Sequence, residues 1–184
     1  MEPVTMTEYS KQEAAKEQDI PAEFEVIPVE GKDYSCKKRC ELGDGKREVF
    51  SIRFDPHDKH IAAGCADGTI RIFHLGSQKE TYVLQNPGAE PSAITSVRWR
   101  PHEAKGVSKN VLLSVNAAGQ VQHWLSTSCK LLHTIVEDTM LFCADFNTDG
   151  TMFATGGNDK IVSCSIVNNR CDCMMKSQRS QKRS

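Results

Sequence analysis

The fold is predicted most directly from residues 48–85, EVFSIRFDPHDKHIAAGCADGTIRIFHLGSQKETYVLQ. Apolar and polar residues alternate from Val49 to Phe54 and again in TIRIFHL, residues 69–75. A period of two is typical of strands whose two faces differ. A turn, DPHDK at 55–59, follows the first run, and a second turn precedes TIRIFHL. The stretch therefore predicts a small antiparallel sheet of consecutive strands.

The same layout occurs twice more, in residues 92–136 and 139–176. In each unit an alternating run ends in an aromatic residue, and a strand rich in small residues leads to another alternating strand. Asp67, Ala118 and Asp159 occupy equivalent points, so successive units are offset by 51 and 41 residues. The extra length of the second unit falls in its first turn, where an insertion costs little. The sequence predicts an all-β fold of about three four-stranded antiparallel sheets, at about 42–91, 92–137 and 138–176.

This pattern resembles the WD-repeat (WD40) family over about residues 42–176. The resemblance is carried by V-x-S-I-x-F-x-P (Val49 to Pro56), G-C-A-D-G-x-I-R-I-F (Gly64 to Phe73) and T-G-G-N-D-K-x-V (Thr155 to Val162). In that family each unit is one blade of a β-propeller, so the resemblance implies a partial propeller of three divergent blades. It also implies that Asp67 and Asp159 are structural turn residues. Their partners in the family's hydrogen-bond network are a histidine, a Ser or Thr and a tryptophan.

The chain departs from the family pattern in every blade. Ala118 stands where the second blade needs the aspartate. The places of the family's histidine are taken by Gly45, Glu90 and Glu137. The aromatic residue of the WD dipeptide is kept as Phe73 and Trp124 and is lost at Ser165. We therefore expect blades that depend on apolar packing more than on a buried polar network, which contributes only when every member is satisfied.

Three blades are fewer than the roughly four to eight that close a propeller ring, which leaves two apolar blade faces to cover. Three explanations stay open: a truncated splice product of a longer gene, a ring completed by another chain, and a marginally folded protein. The polar, basic sequence after the third blade favours truncation. Residues 1–41 are interpreted as an acidic, mostly disordered arm, since residues 1–33 carry a net charge of −6, and residues 177–184 as a basic tail.

Composition and motifs argue against several classes of function. The net charge of −1 argues against a general nucleic-acid binder. The sequence contains no run of 18 apolar residues, so no membrane helix is predicted. Because the N-terminus does not have the pattern of a secretory signal, the eight cysteines are predicted to be reduced thiols. Cys65, Cys143 and Cys164 are predicted to be buried in strands. D-P-H-D-K-H, residues 55–60, is interpreted as a turn rather than a metal site. We expect no catalytic residue, no cofactor and no metal, because no nucleophile elbow or ligand spacing is present.

The function that the resemblance implies is a non-catalytic scaffold or adaptor that binds other proteins on the propeller rim. Six residues beside the aromatic of each first strand are the candidates for partner binding: Arg53, Asp55, Arg98, Arg100, Asp145 and Asn147. The alternative is a chromatin- or RNA-associated adaptor that uses the basic C-terminal tail. The expected location is the cytoplasm, with the nucleus or the cytoskeleton as alternatives.

Overall fold

The structure is a computed structural model that describes residues 37–88, 90–101 and 110–167. The chain divides into two units, Met1–Glu41 and Leu42–Ser184. In the first unit the described residues are 37–41, where Lys38 and Glu41 form an ion pair. Most of the predicted acidic arm, the basic tail and the fourth strand expected for the third blade lie outside the described residues.

The second unit begins with a four-stranded antiparallel sheet, the first sheet. Its strands are β1 (Val49–Phe54), β2 (His60–Cys65), β3 (Ile70–His74) and β4 (Lys79–Leu84), hydrogen-bonded in chain order. β-Branched and aromatic residues, which suit a pleated and half-buried surface, are frequent in β1 and β3. The strands coincide with the alternating runs and the connections with the turns, as the sequence predicts.

Two further sheets follow in the same pattern. The second sheet contains β5 (Ile94–Trp99), β6 (Val111–Asn116), β7 (Gln120–Leu125) and β8 (Lys130–Val136), with a 3-10 turn at Ser126–Ser128. The third sheet has three strands among the described residues, β9 (Leu141–Phe146), β10 (Met152–Gly157) and β11 (Val162–Ile166). All neighbouring strands are antiparallel. The predicted fold class, an all-β partial propeller, is confirmed.

Each first strand carries a bulge at the same place. The pairing register skips Phe50 in β1, Thr95 in β5 and Phe142 in β9. A bulge leaves one residue unpaired and bends its strand. The recurrence shows that the three sheets are structural repeats.

The sheets pack face to face through their first strands. The backbone N–H of Val97 donates to Ser51 Oγ at 3.1 Å, and Trp99 Nε1 donates to the Arg53 carbonyl at 3.2 Å. Thr95, the bulge residue of β5, donates its hydroxyl to the Leu141 carbonyl at 2.7 Å. These bonds tie β1 to β5 and β5 to β9, so the three first strands lie side by side.

Among the described residues the core consists of two apolar clusters, one at each junction between sheets. Between the first and second sheets the buried members are Ala62, Ile70, Ile72, Leu84, Ile94, Val97, Leu112 and Trp124. Between the second and third sheets they are Leu113, Val115, Val121, Leu141, Ala144 and Phe153. Each sheet therefore buries its apolar face against its neighbour, as stacked repeats do.

The prediction that three cysteines are buried is correct for one of them. Cys65 is 0% exposed, and burial raises the pKa of its thiol. Cys143 and Cys164 are exposed. The prediction was wrong for these two because both lie on the face of the third sheet that points away from the second sheet.

Candidate functional site

The two turn aspartates that the resemblance singled out hold the turns between second and third strands. Asp67 Oδ1 accepts hydrogen bonds from the backbone N–H and the hydroxyl of Thr69, at 3.0 and 2.6 Å, and Oδ2 accepts one from Arg47. Burial raises the pKa of Asp67, but the bonds from Thr69 and Arg47 outweigh it and lower the pKa overall. Asp159 Oδ1 accepts from the Ile161 N–H at 3.1 Å. Both carboxylates thus hold their own turns, and Asp67 also binds Arg47, which precedes β1.

In the second sheet the same task falls to a residue that the sequence reasoning missed. Asn116, two residues before Ala118, accepts on Oδ1 from the N–H groups of Ala118 and Gln120 at 3.1 and 2.9 Å. Asparagine commonly bonds to backbone two residues further on, so its position before the turn was the available signal. The turn lacks the aspartate but keeps an acceptor for its N–H groups.

The described blades keep parts of the family's polar network, and none of them has all of its members, as the sequence predicts. Trp124 Nε1 donates to Ser114 Oγ at 2.9 Å, and both side chains are fully buried. In the third sheet the hydroxyl of Thr155 donates to Glu137 Oε1 at 3.4 Å, so the residue at the histidine place takes part. Phe73, at the equivalent position of the first sheet, is buried and has no polar atom that needs a hydrogen-bond partner. The network is therefore incomplete rather than absent, and each described blade keeps a different part of it.

Two of the six candidate binding residues hold turns between first and second strands. Asp55 is 8% exposed, and its Oδ1 accepts from the N–H groups of Lys59 and His60 at 2.7 and 2.9 Å. Burial raises the pKa of Asp55, but these bonds outweigh it and lower the pKa overall. Asn147 accepts from the Met152 N–H at 2.9 Å in the third sheet. Both residues shape the loops, and a role in partner binding stays a prediction.

Three other candidates form a line of charge across the first strands, which we call the charged row: Arg53, Arg98 and Asp145. They occupy equivalent places in β1, β5 and β9. Arg98 Nε and Asp145 Oδ1 are 3.2 Å apart, and the Asp145 side chain is 73% exposed. Arg53 is exposed and donates through Nη1 to the Ile52 carbonyl at 2.8 Å. The Arg98 side chain is 19% exposed, so the pair lies at the surface with its carboxylate in solvent, and such a pair contributes on the order of 1 kcal/mol to stability.

The sixth candidate, Arg100, lies beside a buried histidine. Arg100 and His123 are each 7% exposed, and neither Arg100 Nε nor either ring nitrogen of His123 has a hydrogen-bond partner among the described residues. Burial lowers the pKa of Arg100, and the charge of Asp149 opposes that shift. Burial, with smaller effects of His133 and Arg100, lowers the pKa of His123 to about 4. The sequence reasoning treated His123 as a scattered histidine and missed this site.

His123 is packed as an apolar residue would be. Its ring lies 5.1 Å from the Phe153 ring and 6.4 Å from the Phe146 ring, between the second and third sheets. The equivalent position in β3 is Ile72, which lies in the core. The neutral imidazole fits this environment, and the protonated form does not, since a buried charge without a partner is unfavourable.

Stability is therefore expected to fall as the pH falls from 6.5 towards 4. The His123 pKa is about 6.5 in the unfolded chain and about 4 in the folded one, so the unfolded chain binds the proton first. We expect the free energy of unfolding to drop by about 2 kcal/mol between pH 8 and pH 5. Urea unfolding at several pH values measures it.

A matched pair of variants isolates that effect. His123→Ile, which introduces the residue found at the equivalent position of the first sheet, should lose most of this dependence between pH 8 and pH 5. His133→Gln, at the exposed cross-strand neighbour, should keep it. An equal pH dependence in wild type and His123→Ile would rule out His123 as the responsible group.

Among the described residues no three His, Cys, Asp or Glu side chains are grouped as a metal site would require. In the described part of the chain, no helix has the length and hydropathy needed to cross a membrane.

Comparisons with known proteins agree with the fold. The family described as WD domain, G-beta repeat, matches residues 36–74 and 129–164. Protein HIR1 of Chaetomium globosum is 23% identical over 139 residues, which cover 68% of this chain and 13% of that protein. The ribosome biogenesis protein ERB1 of Chaetomium thermophilum is 28% identical over 93 residues, covering 50% of this chain and 11% of that protein. The chain thus spans a small part of the length of these curated relatives.

A solved structure shows the same architecture. A chain in the crystal structure of the mitotic checkpoint complex superimposes with a TM-score of 0.57 at 18% identity, over 67% of this chain and 36% of that one. The two segments matched by the family end at the third strands of the first and third sheets, and the segment with Ala118 lies between them. The repeats, the packed sheets and the structural likeness together show that the described residues form part of a β-propeller, and two segments of the chain match the WD-repeat family.

Proposed function

We propose that the chain is a non-catalytic scaffold that binds other proteins through the charged row. The observation that carries the proposal is the alignment of Arg53, Arg98 and Asp145 on the first strands of three packed sheets. Side chains on strands are held more rigidly than side chains on loops, and a preorganised site loses less entropy on binding. WD40 repeats generally serve as interaction surfaces, which supports the same function.

The chemistry of the row favours a partner with an acidic segment. Two of its three members are arginines, whose planar guanidinium groups bind carboxylates with two parallel hydrogen bonds. Arg53 is bonded to a backbone carbonyl, which leaves the other donors of its guanidinium for a partner.

The comparisons support a place in a multiprotein assembly. One structural neighbour is a chain of a checkpoint complex, and one relative is named for ribosome biogenesis. We propose the cytoplasm as the location, with the nucleus and the cytoskeleton as alternatives. The nucleic-acid adaptor remains the second candidate, and the name of the ribosome biogenesis relative is the observation that favours it.

Removing both arginines of the row should release the partner. In the double variant Arg53→Ala, Arg98→Ala, recovery of bound proteins should fall on the order of tenfold, since two arginine anchors are lost. Quantitative affinity purification of the tagged full chain, read by mass spectrometry, measures the recovery.

The control removes two positive charges elsewhere. Lys79 and Lys130 are exposed on β4 and β8, and Lys79→Ala, Lys130→Ala should retain the partners. Equal recovery by the two double variants would disprove binding at the row. Recovery that depends on added RNA or DNA and falls steeply with salt would favour the nucleic-acid adaptor instead.

A further inference from the structure

The first sheet presents an apolar face that the equivalent positions of the other sheets bury. Val49, Ile52 and Phe54 in β1, which we call the leading face, are 52%, 55% and 58% exposed. In β5 the residues that correspond to Val49 and Ile52 are Ile94 and Val97, which are 1% and 0% exposed. In β9 they are Leu141 and Ala144, which are 1% and 4% exposed. A preceding sheet covers these positions in β5 and β9. The leading face is therefore one half of an interface of the kind formed between sheets.

The third sheet presents the other half. Val162, Cys164 and Ile166 alternate on one side of β11, which we call the trailing face, and all three are exposed, Val162 by 74%. The residues equivalent to Val162 and Cys164 are buried in the other two sheets: Ile70 and Ile72 in β3, Val121 and His123 in β7. A following sheet covers those positions. The trailing face has the form that a leading face packs against in the two junctions within the chain.

We propose that a second copy of this chain occupies both faces, so that the leading face of each copy packs on the trailing face of the other. Three described sheets from each copy make a ring of about six, within the range of four to eight that propellers use. Both junctions are then buried, and the pair has the two-fold symmetry that is commonest in oligomers.

The charged row supports the order of the sheets at this junction. Between the second and third sheets the row places Arg98 against Asp145, an attractive pair at 3.2 Å. The next step in the same direction places Asp145 of one copy against Arg53 of the other, which is again attractive. Asp145 is 73% exposed and keeps an oxygen for this contact. The junction between copies repeats a charge pairing that the chain already contains.

The mass of the full chain in solution tests the proposal. Sedimentation velocity across about 1 to 100 µM should show twice the monomer mass with a concentration-dependent fraction of monomer. Ile52→Glu on the leading face and Val162→Glu on the trailing face should each weaken the pair by on the order of 100-fold, since a buried unpaired carboxylate opposes association. Leu132→Glu, at an exposed position of β8 on neither face, should associate like wild type.

Mixing the two variants makes the test specific. Ile52→Glu retains an intact trailing face and Val162→Glu an intact leading face, so an equimolar mixture should associate more tightly than either variant alone. Circular dichroism of each variant checks that the sheets remain, and both residues are more than half exposed in the single chain. Both variants keep the residues of the charged row, and sedimentation is measured on the purified chain without a partner protein, so loss of the pair is read separately from loss of partner binding.

Three results would overturn the proposal. A monomer at every concentration would assign the two faces to sheets of a different chain or of a longer form. Assemblies that grow beyond the pair would mean that the junction does not close, as head-to-tail contacts without closure form open filaments. Face variants that associate like wild type, or a mixture no tighter than its components, would place the contact elsewhere.

Discussion

Replacing Trp124 by alanine is expected to lower the free energy of unfolding by about 3–5 kcal/mol, the range for large aromatic residues removed from a core. The side chain is 1% exposed and packs between the first and second sheets with Ile72, Val97 and Leu112. Its loss leaves a cavity at the junction and also leaves the Ser114 hydroxyl without its donor. Denaturant unfolding of the full chain at neutral pH measures the change.

A double-mutant cycle separates the hydrogen bond from the packing. Trp124→Phe keeps most of the ring and removes the N–H, so it should destabilise the chain by about 1–2 kcal/mol, because a buried hydroxyl loses its partner. Adding Ser114→Ala should then cost little, since the orphaned hydroxyl is removed as well. Additive effects of Trp124→Phe and Ser114→Ala would show that the indole–hydroxyl bond contributes nothing, and a small effect of Trp124→Ala would contradict its place in the core.

Gly119→Ala is expected to lower the free energy of unfolding by about 2–5 kcal/mol, for two independent reasons. Gly119 has a φ of +78°, where a side chain is strained. A Cβ atom there would also lie 2.2 Å from the Glu137 carbonyl oxygen and 2.5 Å from that of Thr139. Both oxygens belong to backbone that leads into the third sheet, so the clash would displace one sheet from the next. Thermal unfolding followed by circular dichroism measures the loss.

The equivalent turn of the third sheet provides a control of opposite sign. Lys160 has a φ of 62° in the same position of the turn, and it is exposed. Lys160→Gly relieves the backbone strain of the folded chain, but it also gives the unfolded chain more conformational freedom, which opposes the gain. The free energy of unfolding should therefore rise by up to about 1 kcal/mol. A Gly119→Ala chain as stable as wild type would show that the connection at Glu137 and Thr139 moves away freely.

Much of the fold could be predicted because its signals are local. Alternation over six residues places β1, and the turn chemistry of Asp67 places the connection between β2 and β3, without knowledge of any distant residue. The bulges at Phe50, Thr95 and Phe142 could not be predicted, because a bulge is a property of the pairing between two strands.

The site was predictable in part for the same reason. The equivalence of Arg53, Arg98 and Asp145 follows from the repeat, but the contact between Arg98 and Asp145 depends on how the second and third sheets stack. The pattern does not reveal that Asp55 is buried inside a turn or that His123 is enclosed by aromatic rings, because both facts depend on neighbours brought in by folding.

The order of residues along the chain was sufficient to establish the number of repeats in this region, the strands within each and the residues that turn the chain, since these depend on interactions over a few residues. Which strand faces are buried was settled only by the stacking of the sheets. Ile70, Val121 and Val162 hold the same position in three sheets, yet the first two are 0% exposed and the third is 74% exposed. An apolar side chain on a sheet leaves water only when another sheet covers it, and that covering is not a local property of the sequence.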